Sequence, residues 1–233
     1  MIIATALATF LRRRDDADMS AFEPSRVVTT PTDARRPPFD SVTIAFHWAT
    51  VLIVLAMFAS AWLRSQSHDD VLKALLLQAH RSLGVTIWVA TALRLAWRLT
   101  HAKLPPFPTN MTKVHRTVVQ LSEYGLYALL LVQPATGVGT TLLNGRPFAL
   151  FLWQIPPLMF EDKALRAIFH MAHEFGAWTF ATLIAGHAAA ALFHHFVLRD
   201  DVLECMAPVI ATERRKQASL PRDVISEGNV GAS

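Results

Sequence analysis

Ten histidines stand in a 233-residue chain that has two tyrosines and one cysteine, and four of them are spaced for paired metal ligation. His173 and His187 are fourteen residues apart. On a helix that is close to four turns, so both rings look toward one face at depths roughly 21 Å apart. His47 and His80 lie on two other apolar segments, so His47 can meet His187 and His80 can meet His173. Two imidazoles facing each other supply the axial ligands of a planar haem, which fills the other four iron positions itself. Six-coordinate iron of this kind suits electron transfer rather than oxygen binding. The pattern predicts two haem b groups held by His47, His80, His173 and His187. His170 competes for the same helix face, and the spacing from His187 favours His173. Gly84, Gly176 and Gly186, with Ala188 to Ala191, offer clearance for a macrocycle, although small residues equally allow close helix packing.

Other metal frameworks fail on inspection. Cys205 alone can form no internal disulfide and no Cys-rich cluster. His173-Glu174 lacks the second zincin histidine, Ala177 standing in its place, and no paired Glu-x-x-His motif suggests a di-iron site. His194 and His195 are adjacent and would face about 100° apart on a helix, which does not suit one shared ion.

The elements that must position these histidines are membrane spans. The chain is 52% hydrophobic and 17% charged, and its apolar residues gather into four blocks near the ~20 residues needed to cross a hydrocarbon core. These run from about Thr43 to Leu63, His80 to Leu99, Leu121 to Leu143 and Glu174 to Leu198. Pro37 and Pro38 end what precedes the first, where Asp40, Ser41 and Thr43 are candidate caps. The third contains Pro134, Gly137 and Gly139, where a kink is expected. Between the last two spans, Phe148 to Phe160 is apolar but broken by Pro156 and Pro157 and too short to cross. It is expected to lie at the interface over one mouth of the bundle.

Charge sets the orientation. The second connection, with the end of the second span, holds Arg94, Arg98, Lys103, Lys113 and Arg116 and no acid, whereas Asp69, Asp70, Glu161 and Asp162 fall in the other two loops. With the arginine-rich N-terminal stretch and Arg214, Arg215 and Lys216, the positive-inside rule puts both termini in the cytoplasm. The expected fold is an all-α membrane protein, an up-and-down four-helix transmembrane bundle over residues 40–206. Residues 1–39 and 207–233 are read as disordered cytoplasmic tails, with Met19 an alternative start. The net charge of +4 comes with no basic stripe of interleaved aromatics, so no nucleic-acid partner is expected.

The stretches Ile44-Ala45-Phe46-His47-Trp48, Ala79-His80-Arg81-Ser82-Leu83-Gly84, His173-Glu174 and Gly186-His187-Ala188 through His194-His195 resemble the bacterial cytochrome b561 family, over roughly residues 40 to 208. The nearest resemblance is to its superoxide oxidase type. The long N-terminal stretch departs from that compact pattern. The resemblance implies a multi-pass, di-haem protein of the bacterial inner membrane that takes electrons from periplasmic superoxide and passes them to ubiquinone. It places the family's four haem ligands on His47, His80, His173 and His187, and it puts His194 near the quinone pocket.

On that expectation Arg81, beside ligand His80, is a candidate for attracting superoxide or pairing with a haem propionate, and Arg146 and Arg166 add positive potential. His194 is a candidate for holding a quinone carbonyl and relaying a proton. Arg94 and Arg98 read mainly as positive-inside anchors, with propionate contacts as a second reading. Two rival functions stand beside this one. One is a quinone-linked anchor exchanging electrons with a dehydrogenase, hydrogenase or periplasmic carrier, which would need a protein redox partner. The other is a haem-free metal-ion transporter, disfavoured because Glu123 and Glu174 are almost the only carboxylates in the spans.

Overall fold

A computed structural model describes residues 39–102, 111–199 and 202–207. The expected tails, with Lys103 and Arg214 to Lys216, lie outside them apart from Phe39 and Ala207. Four long helices dominate: α1 (Ser41–Gln66), α2 (Asp70–Thr100), α3 (Lys113–Leu142) and α4 (Lys163–Phe193). They contain 26, 31, 30 and 31 residues. At ~1.5 Å per residue each exceeds the ~30 Å of a hydrocarbon core. α4 continues into a π-helical turn, His194–Leu198, which Arg199 closes with a left-handed φ of 52°. A short α5 (Val202–Met206) follows.

Each long helix starts on a side-chain cap: Asp40, Asp69, Thr112 and Asp162 accept hydrogen bonds from backbone N–H groups of the first turn. Asp40 does more than cap. It accepts from Thr43 N–H at 2.9 Å, from the Thr43 hydroxyl at 2.7 Å and, across helices, from Trp97 Nε1 at 3.1 Å. That ties the start of α1 to the end of α2. α5 closes the same end, where Phe39 N–H donates to Cys205 O and Trp48 Nε1 donates to Met206 O.

The helices pack as two tight hairpins, α1 with α2 and α3 with α4, joined through α2 and α3. The central contact is a layer of Val54, Ile87, Leu130 and Phe180, one residue from each helix, with Phe58 against Phe180 at 6.3 Å between ring centres. Around this layer the usual distribution is reversed. Thr50, Ser60, Thr91 and Gln133 are buried, while Leu52, Trp62, Val89, Leu121, Phe175 and Trp178 are exposed. Apolar residues outside and polar ones inside suit a surround of lipid. By length and composition, α1 and the stretch Lys163–Leu198 are apolar enough to cross a membrane. α2 and α3 do not meet that measure: Arg81, Arg94 and Arg98 lie along α2, and Gln133, Pro134 and several threonines and glycines lie along α3.

Four features refine the expectations. The architecture is not wholly α: Phe148–Leu150 (β1) and Trp153–Ile155 (β2) form an antiparallel hairpin pairing Phe148 with Ile155 and Leu150 with Trp153. That hairpin leans on the outer flank of α2 rather than lying over the mouth, since its turn is bonded to Gln78 and Ser82. Arg98, in the last turn of α2, faces the inside of the bundle. It is 8% exposed and lies 2.5 Å from Glu123 of α3, because an arginine this far inside needs a counter-charge. α3 runs through Pro134 without interruption.

Phe180→Ala is expected to destabilise the protein by about 3 kcal/mol through the cavity left in the central layer, read from thermal unfolding in detergent. Asp40→Ala should cost about 1 kcal/mol as a lost cap. Burial pushes the Asp40 carboxyl up, but the hydrogen bonds from Thr43 and Trp97 outweigh it and hold the group below its ordinary value. Its contribution is therefore present above the unfolded-state pKa and lost as pH falls through the lowered one. The alanine variant should accordingly converge with the parent protein in acid.

Candidate haem-binding site

The structure brings the four histidines together as two pairs. His80 on α2 faces His173 on α4 with ring centres 6.2 Å apart, and His47 on α1 faces His187 on α4 at 6.5 Å. Two metal–nitrogen bonds of about 2 Å in line, with about 1.2 Å from each nitrogen to its ring centre, put trans imidazole centres about 6.4 Å apart. Both pairs therefore fit an iron between them. His170 is exposed and takes no part in either pair. Among the described residues no three His, Cys, Asp or Glu side chains converge on a point, whereas a macrocycle that brings four in-plane nitrogens needs two protein donors only.

The rings of the first pair are held by the same device on two different hairpins. His80 Nδ1 lies 3.1 Å from Met57 O and 3.2 Å from Ser60 Oγ, and the Ser60 hydroxyl itself donates to Met57 O at 2.8 Å. His173 Nδ1 lies 3.1 Å from Gln133 O and 3.0 Å from Thr136 Oγ1, and the Thr136 hydroxyl donates to Gln133 O at 2.8 Å. A carbonyl can only accept, so Nδ1 carries the hydrogen in both rings and the Nε2 lone pair is free for a metal. Gln133 also donates from its side-chain amide to His173 O at 2.9 Å, locking the backbone of that ligand.

The glycines divide by role. Gly186, beside His187, faces open space, as clearance for a macrocycle requires. Gly84 and Gly176 act differently: a Cβ on Gly84 would lie 3.7 Å from Met57, and one on Gly176 would collide with the Gln133 amide. Gly176 thus lets the Gln133 amide come close to the backbone of α4, whereas a methyl at Gly84 would make ordinary contact only. A Cβ at Gly137 would lie 3.2 Å from the His173 ring, so this glycine makes room for the imidazole itself.

The other predicted residues lie at the two ends. Arg81 crosses the Phe148 ring at 5.7 Å, and its Nε is buried with no hydrogen-bond partner among the described residues. Such a donor fits a carboxylate arriving from outside the chain. Arg146 and Arg166 are exposed. At the other end Arg94 and Arg98 both stand over the Tyr127 ring, at 5.2 and 5.6 Å. His194 is 5% exposed, and its Nε2 lies 3.2 Å from Nε2 of His115. One nitrogen of that pair donates and the other accepts, so a single proton lies between the two rings. The π-helical turn opens at His194, and such turns recur at functional sites.

Sequence reasoning missed His115, Ser60, Thr136 and Gln133. Ser60 and Thr136 each stand three positions after the carbonyl they share with a histidine, a spacing that any helical hydroxyl has. Which helix they would meet was not visible. His115 carried no signal, because its partner lies 79 residues away.

A profile described as prokaryotic cytochrome b561 matches residues 38–208. The chain is 29% identical over 167 residues to "Cytochrome b561 homolog 2" of Escherichia coli (strain K12), covering 71% of this chain and 88% of that one. It is 28% identical over 174 residues to "Cytochrome b561 homolog 1" of the same organism, covering 73% and 97%. It is 27% identical over 176 residues to "Probable superoxide oxidase CybB" of Yersinia pestis, covering 73% and 96%.

Thr136→Val keeps the shape of the pocket but deletes the hydroxyl beside His173. Loss of such a second contact to a ligand typically weakens metal binding 10-fold or more. Haem titrated into the apoprotein and followed by Soret absorbance should show about a 10-fold weaker site at His80 and His173, with the site at His47 and His187 unchanged.

Proposed function

This chain belongs to the prokaryotic cytochrome b561 family, and from that membership and its paired histidines we propose that it is a di-haem cytochrome b of the bacterial inner membrane that oxidises periplasmic superoxide and reduces ubiquinone. Haem binding, membrane residence and electron transport come with the family. The observation that carries the finer reading is the presence of two imidazole pairs, each at the separation an iron needs, fourteen residues apart on α4. One of the relatives is named as a probable superoxide oxidase, which supports the choice of donor.

In this reading all four long helices span, up and down, with both termini cytoplasmic. His80 and His173 then lie in the outer half and His47 and His187 in the inner half. The bound haems would supply a one-electron centre at each depth. Overall, two superoxide anions each lose one electron to become oxygen, and one ubiquinone gains two electrons and two protons to become the quinol.

The chain's own groups divide this work. Arg81, Arg146 and Arg166 raise the potential at the outer surface, where a small anion must arrive. Met57, Ser60, Gln133 and Thr136 orient the outer ligands. The layer of Val54, Ile87, Leu130 and Phe180 separates the two levels and excludes water from the space between them. At the inner end His194, with the proton it shares with His115, would hydrogen-bond a quinone carbonyl and pass a proton to it.

The test is spectroscopic. Purified protein should give two b haems per chain by pyridine haemochrome. Enzymatically generated superoxide should raise the reduced α-band, and ubiquinone should discharge it. Two haems that ignore superoxide but accept electrons from quinol would instead favour exchange with a protein partner, and a chain that takes up no haem would end the reading. Ligand assignment has its own check: His47→Ala should leave one haem per chain, whereas His170→Ala should leave two.

A further inference from the structure

The side of α2 that faces away from His80 carries a feature that ligation and catalysis have not used. The β1–β2 hairpin turns through Phe151 and Leu152, and Phe151 adopts a φ of 51°. A bulky residue rarely occupies that left-handed region, and two-residue hairpin turns ordinarily place Gly, Asn or Asp there. Both backbone polar groups of Phe151 are taken by α2. Its N–H donates to Ser82 Oγ at 2.7 Å, and its carbonyl accepts from Gln78 Nε2. The Ser82 hydroxyl in turn donates to Gln78 O at 2.8 Å, so the two gripping residues are also tied to each other.

The base of the hairpin is equally fixed. Asp162 N–H donates to Leu143 O at 3.1 Å, joining the end of α3 to the start of α4. Gly145, with φ 63°, lies so close to Glu161 that a Cβ would meet the Glu161 backbone nitrogen at 2.7 Å. The hairpin is thus rooted on one helix pair and grips the other.

Gln78 and Ser82 are four residues apart and share one face of α2, while His80, two residues from each, points roughly 160° away. On its own side His80 is held by Met57 and Ser60 of α1. α2 is therefore gripped from opposite sides at the level of this histidine. We propose that the hairpin is a strap that fixes the rotation of α2 about its axis, and that Gln78 and Ser82 are positioning residues for His80. The inference rests on the reading of His80 as a haem ligand.

The orientation of axial imidazole planes sets the electron paramagnetic resonance signal of low-spin ferric haem, so that signal reads ligand positioning directly. The outer-haem signal is assigned as the one that survives in His47→Ala. In the haem-loaded full chain, Gln78→Ala combined with Ser82→Ala should broaden and shift the outer signal, leaving the inner one and the count of two haems unchanged. Ser82→Ala alone should show the same change in smaller measure. Ser82→Thr, which keeps the hydroxyl, and Phe151→Gly, which keeps both backbone groups while relaxing the turn, should restore or retain the parent signal. An unaltered outer signal in the double variant, or equal shifts in both haems, would overturn the strap. Fewer than two haems in the parent protein would overturn instead the ligand reading beneath it.

Discussion

An imidazole has two nitrogens, and which of them is free for a metal is decided by what the other one meets. At His80 and His173 that neighbour is a main-chain carbonyl, backed in each case by a hydroxyl three residues further along the same helix. Much of the structure follows from this constraint. The carbonyls belong to α1 and α3, so α1 must lie against α2 and α3 against α4 closely enough for a ring nitrogen to reach across. That closeness requires small residues at Gly137 and Gly176, where a side chain would crowd the His173 ring or Gln133. The two tight hairpins are the consequence.

Each histidine pair then bridges one hairpin to the other, because His47 and His80 come from the first while His173 and His187 both come from α4. The layer that joins the hairpins falls between the two levels. Phe180 stands seven residues from His173 and seven from His187, Val54 stands seven after His47, and Ile87 seven after His80. Roughly two turns of helix separate Val54, Ile87 and Phe180 from the histidines on their own helices, and Leu130 completes the layer from α3. Apolar packing at mid-depth and polar tethering at one of the ligand levels are therefore different parts of the same four helices. This spacing lets the core close without competing for the space a macrocycle would need. In lipid, where burial of apolar groups gives no advantage over contact with acyl chains, such a layer holds by close packing alone.

The four segments were legible because periodicity and hydrophobic length are local properties. The order of the histidines along them was legible for the same reason. A fourteen-residue interval needs only the pitch of a helix to become a statement about depth. What could not be read is whatever depends on the register between helices. Ser60 and Thr136 are unremarkable helical hydroxyls until one knows which ring lies opposite. Arg98 looks like an interfacial cation until Glu123 is found beside it. Phe148 to Phe160 was legible as apolar and non-spanning. Its antiparallel pairing was not, because Phe151 breaks the usual turn chemistry and its conformation depends on two side chains some seventy residues away. His115 and His194 join only in the folded chain.

The two ends of α2 treat arginine in opposite ways. At the inner end Arg98 is buried against Glu123, and the Tyr127 ring accepts both Arg94 and Arg98 on its face. Burying a cation without a counter-charge costs several kcal/mol, and here the carboxylate of the adjacent helix removes most of that cost. Arg94, a second positive charge on α2, stands near both His47 and His187. At the outer end Arg81 is covered by the Phe148 ring, and its Nε faces no acceptor among the described residues. Arg146 and Arg166 stand exposed beyond it. Positive charge therefore stands near both histidine pairs, Arg81 beside His80 and Arg94 beside His47 and His187. The difference between the two ends of α2 is therefore one of pairing, with Arg98 held by an acid of the adjacent helix and the Arg81 Nε left open to an acceptor from outside the chain.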